Sequence, residues 1–149
     1  MKIALFPALL FALMTTPACQ AKEKISELEI HTASAKSIAF KVEVAQTPEE
    51  QTRGLMFRES LAPNHGMIFP MDPPREASFW MRNTVIPLDM IFIRADGSIA
   101  RIAAETVPYS LIPVSSGEPV AAVLEIAGGQ AAALGIAEND TVKWRNFGK

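Results

Sequence analysis

Turn-forming residues interrupt this chain every eight to twelve residues, and the stretches between them are short and apolar. Such segments predict β-strands, because a buried strand needs only four to eight residues whereas a stable helix needs more. We therefore expect a mainly β fold, a compact single-domain jelly-roll-like sandwich or barrel with one or two short helices. The expected divisions are a signal peptide over 1–21, a leader and first strand over 22–36, and one β-rich domain over 37–149, which also includes a strand over 27–33.

One strand and one helix have clear local signatures. Apolar and more polar residues alternate over 37–45, which predicts a half-buried strand. Thr47 then offers an N-cap, with Pro48 at the first helical position and Glu50 three residues after the cap. This capping box predicts a helix that ends near 54–57.

Proline and glycine place the remaining breaks. Asp96-Gly97 predicts a hairpin between strands over 88–94 and 99–106. Pro73-Pro74 predicts a break between two strands, and the prolines of 107–119 predict a loop without a regular ladder. The last elements expected are a strand over 120–126, a short helix within 128–134 and a strand over 141–147.

The N-terminus has the pattern of a bacterial secretory signal peptide, with an apolar run over 3–14 and small and polar residues over 15–21. That run is shorter than the roughly 20 residues that span a bilayer. Cleavage after Ala21 leaves no cysteine, whereas cleavage after Ala18 makes Cys19 the first residue and a candidate for lipidation. We expect export to the periplasm or the extracellular space, with membrane attachment only if Cys19 is lipidated.

The charge balance limits the partners. The chain has 14 basic and 16 acidic side chains, and neither sign forms a block. Nucleic acid is therefore not expected as a partner. No phosphate loop or dinucleotide fingerprint occurs in the sequence, so no cofactor is expected. We expect a monomer.

Polar residues interrupt the apolar segment FWMRNTVIPLDMIFI at 79–93. A buried polar group without a hydrogen bond costs roughly 1–3 kcal/mol, and an unpaired charge costs more. Arg82, Asn83, Thr84 and Asp89 are therefore expected to line a cleft or to satisfy one another. Two strands joined near 85–87 would place Arg82, Asn83 and Asp89 close together.

Several strings occur in an order that resembles a known family: GLM at 54–56, GMIF at 66–69, the segment at 79–93, the turn at 96–97, VLE at 123–125 and GIAENDTV at 135–142. The resemblance is to the uncharacterised secreted family called domain of unknown function 192, and it covers about 38–147. It implies a compact β-rich domain of jelly-roll or barrel type with no established activity. One departure is Asn139, where members often have glycine. The motif positions are Arg53, Gly54, Leu55, Met56, Met67, Trp80, Met81, Arg82, Asn83, Thr84, Pro87, Asp89 and Glu125.

Three functional hypotheses remain open beside a purely structural envelope role. The first is binding of a small polar ligand, such as a sugar or a carboxylate, in a cleft built by Arg53, Trp80, Arg82, Asn83 and Asp89.

The second hypothesis is a hydrolase or lyase that uses Asp89 and Glu125 as acid and base, because both carboxyl groups lie on apolar strands. The same two groups could instead form structural ion pairs with Arg53 and Arg82, and the residues favour that structural interpretation.

The third hypothesis is copper(I) binding, because thioether sulfur is a ligand that this soft metal prefers. Met56, Met67, Met81 and His65 are the candidates. The simpler explanation is that methionine fills gaps in a small core, and no metal is the expected outcome.

Overall fold

The computed structural model describes residues 25–145 and 147. These residues form one seven-stranded sheet with two short helices, in the strand order β5-β4-β6-β3-β2-β1-β7. The β2–β3 pair is parallel and the other neighbours are antiparallel. The elements are β1 (Ile25–His31), β2 (Ser37–Val44), α1 (Pro48–Arg53), β3 (His65–Phe79), β4 (Leu88–Ile93), β5 (Ile99–Thr106), β6 (Val114–Ala127), α2 (Gln130–Leu134) and β7 (Thr141–Trp144).

The two edges of the sheet meet at one end. Ser98, in the turn between β4 and β5, forms a bridge with Thr141 at the start of β7. The Val142 N–H also donates to the Gly97 carbonyl at 2.8 Å. The sheet is therefore curled into a half-barrel, which confirms the expected mainly β fold.

The curled sheet has an apolar core on each face. One core gathers residues of β1, β2, β4, β6 and β7, including Phe40, Ile91 and Leu124. The second core lies on the other face of β3, β4 and β6, and includes Phe69, Met90 and Phe92. Leu55, just after α1, packs into this second core and brings the helix end close to the sheet. The candidate site described below lies on this second face.

The local signatures are confirmed. Thr47 Oγ1 accepts a hydrogen bond from the Glu50 N–H at 3.1 Å, and the Glu50 carboxylate accepts from the Thr47 N–H at 2.9 Å. Gly54 caps the C-terminus of α1. Asp96-Gly97 lies in the turn of the antiparallel β4–β5 hairpin.

The expected proline breaks are wrong as strand boundaries, although residues 107–113 form a loop and the β3–β6 pairing is irregular near the prolines. β3 runs through Pro73-Pro74 without interruption, with a register shift against β6 between Pro70 and Arg75. β6 begins at Val114 and includes Pro119, next to a second register shift. Proline is compatible with a strand at a bulge, where the missing N–H removes no ladder hydrogen bond. The last strand ends at Trp144, earlier than expected.

The predicted signal peptide, both cleavage sites and Cys19 lie outside the described residues. Within the described ranges, no helix is both long and apolar enough to cross a membrane.

Candidate functional site

An open cleft of about 470 Å³ lies on the second face, between α1 and the β3–β6 pair. Arg53 is the last residue of α1, and Trp80 follows the last residue of β3. Arg75 comes from the irregular part of β3, and Glu125 comes from β6. The residues that define the chemistry of the cleft are Arg53, Met56, Arg75, Trp80, Thr84 and Glu125.

Glu125 is a buried carboxyl in the wall of the cleft. Only 4% of the residue is exposed, and its side chain has no hydrogen-bond or ion-pair partner among residues 25–145 and 147. Burial raises the pKa of Glu125 to about 8, because the charged form loses its hydration. At neutral pH the group is therefore mainly a carboxylic acid, which can both donate and accept a hydrogen bond.

Gly54 brings the end of α1 against this carboxyl. Its φ of +48° lies in the left-handed region, which favours glycine. A Cβ atom at this position would lie 3.3 Å from Phe69 Cζ and 4.0 Å from Glu125 Oε2. Glycine thus allows the helix terminus to approach the buried acid closely, and it places Arg53 at the rim.

The rim of the cleft contains two arginines, the acidic Glu76 and an aromatic ring. Arg53 and Arg75 are exposed, and neither forms an ion pair within the described part of the chain. Trp80 is 47% exposed, and the Arg82 guanidinium carbon lies 5.6 Å from the centre of its ring. The arginines could bind an anionic group of a ligand, and the Trp80 ring could pack on a flat apolar face.

Asp89 has a different role from Glu125. Its Oδ1 accepts hydrogen bonds from the Glu105 N–H at 2.8 Å and the Gly129 N–H at 2.9 Å, and its Oδ2 accepts from the Ala131 N–H at 2.8 Å. The residue is fully buried and does not line the cleft. Its carboxylate therefore fastens the end of β5 and the start of α2 to β4.

The strand register separates the two carboxyl groups. On the β4–β6 pair, Glu125 lies opposite Met90 and Asp89 lies opposite Ile126. Directly opposite residues share a face, and successive residues alternate between faces. Asp89 and Glu125 therefore point to opposite faces of the sheet, and the structure does not bring them together as an acid–base pair. The alternative ion pairs with Arg53 and Arg82 are also absent from the described residues.

Asn83 supports a turn beside the cleft. Its φ of +55° is left-handed, its carbonyl accepts from the Phe57 N–H at 2.9 Å, and its side-chain amide donates to Met56 Sδ at 3.8 Å. Of the five predicted ligand-binding residues, Arg53 and Trp80 line the cleft and Arg82 stacks on Trp80. Asn83 and Asp89 instead form hydrogen bonds that stabilise the local backbone.

Of the residues that define the chemistry of the cleft, Arg75 and Thr84 were in none of the predicted ligand-binding, catalytic or metal sets. Arg75 was missed because a strand break was expected at Pro73-Pro74. β3 instead continues through these prolines, and Arg75 on this strand lines the cleft. Thr84 is one of the polar residues of the 79–93 segment, and it is 5% exposed. The sequence signal for Thr84 was that it is a polar residue within an otherwise apolar segment.

The methionine candidates do not converge on one site. Met67 and Met81 belong to the second core, where Met81 Sδ accepts from Thr106 Oγ1 at 3.2 Å, while Met56 lines the cleft. His65 Nδ1 lies 2.9 Å from the Pro63 carbonyl oxygen. In the part of the chain that the structure describes, no group of three or more His, Cys, Asp or Glu side chains could hold a metal ion.

This chain is similar to one protein family and to solved structures. The model of the DUF192 family, described as "Uncharacterized ACR, COG1430", matches residues 29–144. A crystal structure from Sinorhizobium meliloti 1021, described as "a putative transcription regulator", is 38% identical with a TM-score of 0.81, over 84% of this chain and 97% of that chain. A protein of unknown function from Novosphingobium aromaticivorans DSM 12444 is 43% identical with a TM-score of 0.80, over 93% and 100% of the two chains. The comparison with curated proteins gave no match.

Proposed function

The chain belongs to the DUF192 family, and we propose that it is a small ligand-binding β-domain whose cleft takes a small molecule with an anionic group. The observation that carries this proposal is Glu125. A buried polar group without a partner costs free energy, and a ligand that hydrogen-bonds to it in the cleft would recover that cost. The cleft volume of about 470 Å³ is in the range of small-molecule sites.

The rim supports an anionic ligand. Arg53 and Arg75 are cations without ion-pair partners in the described chain, and a guanidinium group binds a carboxylate through two parallel hydrogen bonds. The half-exposed ring of Trp80 would pack on a flat apolar face. A carboxylated sugar or a hydroxycarboxylic acid combines an anion for the rim with a hydroxyl for Glu125. Export, as the leader predicts, would place this site in the periplasm or outside the cell.

The test is a thermal-shift and calorimetric screen of the chain that begins at Lys22, which contains all seven strands. The panel contains uronic acids, hydroxycarboxylic acids and the matching neutral sugars. A ligand at about 100 times its dissociation constant stabilises the native state by about 2.7 kcal/mol, which raises the melting temperature by several degrees. We expect carboxylated compounds to produce this shift and neutral sugars to produce less.

Two arginine variants control the experiment. Arg53→Gln should weaken binding at least tenfold, whereas Arg145→Gln, which removes the same charge outside the cleft, should leave it unchanged. Equal effects of the two variants, or no stabilisation by any anionic compound in the panel, would contradict the proposal.

A lone Glu125 also supports a second candidate, an enzyme in which this carboxyl alone is the general acid. A carboxyl with a pKa of about 8 holds its proton at neutral pH, as a general acid must. Turnover of a bound ligand that disappears in Glu125→Gln, with binding retained, would distinguish the enzyme from the binding protein. Regulation of transcription, which is the description of the S. meliloti relative, has weaker support, because the chain has a net charge of −2 and its described helices are at most six residues long.

A further inference from the structure

The exposed apolar side chains are concentrated in one place. Eight large hydrophobic residues are exposed in the described chain, and seven of them lie in three neighbouring loops, with Ile25 as the exception. We call these seven the apolar platform: Phe57, Trp80, Val85, Val107, Tyr109, Leu111 and Ile112. Leu111 and Ile112 are 64% and 75% exposed. A concentration of exposed apolar side chains on neighbouring loops indicates an interaction site.

Backbone hydrogen bonds join the three loops. The Tyr109 N–H donates to the Thr84 carbonyl at 3.1 Å, and the Met81 N–H donates to the Ser110 carbonyl at 2.9 Å. The Phe57 N–H donates to the Asn83 carbonyl at 2.9 Å. Tyr109 and Phe57 have φ values of +61° and +65°, which are unfavourable for bulky side chains. The fold thus holds these aromatic residues in exposed positions against their backbone preference.

The charges of the platform restrict its partner. The loops WMRNTVIP at 80–87 and VPYSLIP at 107–113 contain one arginine and no acidic residue, whereas the 54–64 loop that holds Phe57 contains Arg58 and Glu59. A symmetric contact with a second copy of this chain through the 80–87 and 107–113 loops would bring Arg82 towards its own counterpart, with no carboxylate in these two loops to compensate. An anionic surface would complement Arg82 directly.

A phospholipid bilayer meets all of these requirements. Leucine, isoleucine and valine side chains at a loop tip can enter the acyl boundary, while tryptophan and tyrosine favour the headgroup region. Arginine next to them attracts anionic headgroups. We propose that the apolar platform docks this protein on a bilayer that contains anionic phospholipids, with the 107–113 loop inserted and Arg82 at the level of the phosphates.

This attachment does not require lipidation of Cys19, and its platform borders the ligand cleft at Trp80. The overall charge of −2 opposes an anionic surface, so docking must arise from the local platform. The chain that begins at Lys22 lacks Cys19 and the apolar leader but contains every strand and both cores. Solved relatives that this chain covers over 97% and 100% of their length have the same fold, so this part is expected to fold alone.

The experiment is vesicle flotation of this chain. Vesicles of phosphatidylcholine with phosphatidylglycerol should float the protein and shift the emission of the half-exposed Trp80 to the blue, while Trp144 remains buried in the core. Pure phosphatidylcholine should bind several-fold less. The double variant Leu111→Ser/Ile112→Ser should bind at least tenfold less, because two apolar side chains no longer leave water.

Ile25→Ser is the matched control, because Ile25 is 61% exposed and lies outside the platform. It should float as the unmodified chain does. Failure of the unmodified chain to float with anionic vesicles, or equal flotation of the double variant, would overturn the proposal. Light scattering is the second measurement: a dimer that the Leu111→Ser/Ile112→Ser change dissociates would identify the platform as a contact between copies instead.

Discussion

Glu125→Gln is expected to stabilise the fold in a strongly pH-dependent way. Glutamine has nearly the same shape as glutamic acid but no proton to lose, and Glu125 has no partner in the described chain that the change would remove. The native state holds the Glu125 proton up to a pKa of about 8, whereas the unfolded chain releases it near 4.5. The stability of the unmodified protein therefore falls as the pH rises from 4.5 to 8, and that of the variant does not fall from this cause.

The magnitude follows from the two pKa values. Each unit of pKa difference corresponds to about 1.4 kcal/mol, so the advantage of Glu125→Gln should grow by about 4 kcal/mol between pH 5 and pH 8.5. Urea unfolding at these two pH values and at pH 7, followed by the fluorescence of the buried Trp144, measures the difference. Glu59→Gln makes the same change on an exposed side chain and serves as the charge control. A constant difference between Glu125→Gln and the unmodified protein would refute the assignment of Glu125 as a buried, unpartnered acid.

Two further changes probe the backbone around the site. Asp89→Asn should destabilise the fold by about 2–4 kcal/mol, because an amide nitrogen would replace an oxygen that accepts from backbone N–H groups. Urea unfolding of this variant and of Glu125→Gln should give effects of opposite sign, and equal signs would contradict the different roles of the two residues. Gly66→Ala should prevent normal folding, because the alanine Cβ would clash with the Glu125 carbonyl oxygen. A melting temperature that circular dichroism finds unchanged in this variant would disprove the close contact.

The sequence predicts those features that depend on neighbouring residues. The capping box at Thr47 and the Asp96-Gly97 hairpin are local, and the structure confirms both. The strand breaks predicted at the prolines were wrong because the effect of a proline depends on the partner strand. Near a register shift, Pro73 is compatible with β3 and Pro119 with β6. The sequence therefore predicts a mainly β fold but not the length of its two longest strands.

The site was harder to predict because it depends on pairing between strands that are distant in the chain. Asp89 and Glu125 have the same appearance in the sequence, as single carboxylates within apolar strands. β4 pairs with β6 although β5 lies between them in the sequence, and a shift of this register by one residue would place the two carboxyl groups on the same face. No local pattern fixes that register, so the sequence could not show that Asp89 and Glu125 are separated.

The difference between these two carboxyl groups also indicates where the function lies. Backbone N–H donors satisfy both oxygens of Asp89, so its burial is compensated within the fold. Glu125 is almost as deeply buried, and the described residues offer it no donor and no cation. A leucine or methionine at this position would fill the same wall without the cost of burying an acid. Since stability alone does not account for a glutamate here, we infer that its carboxyl group acts on something that enters the cleft.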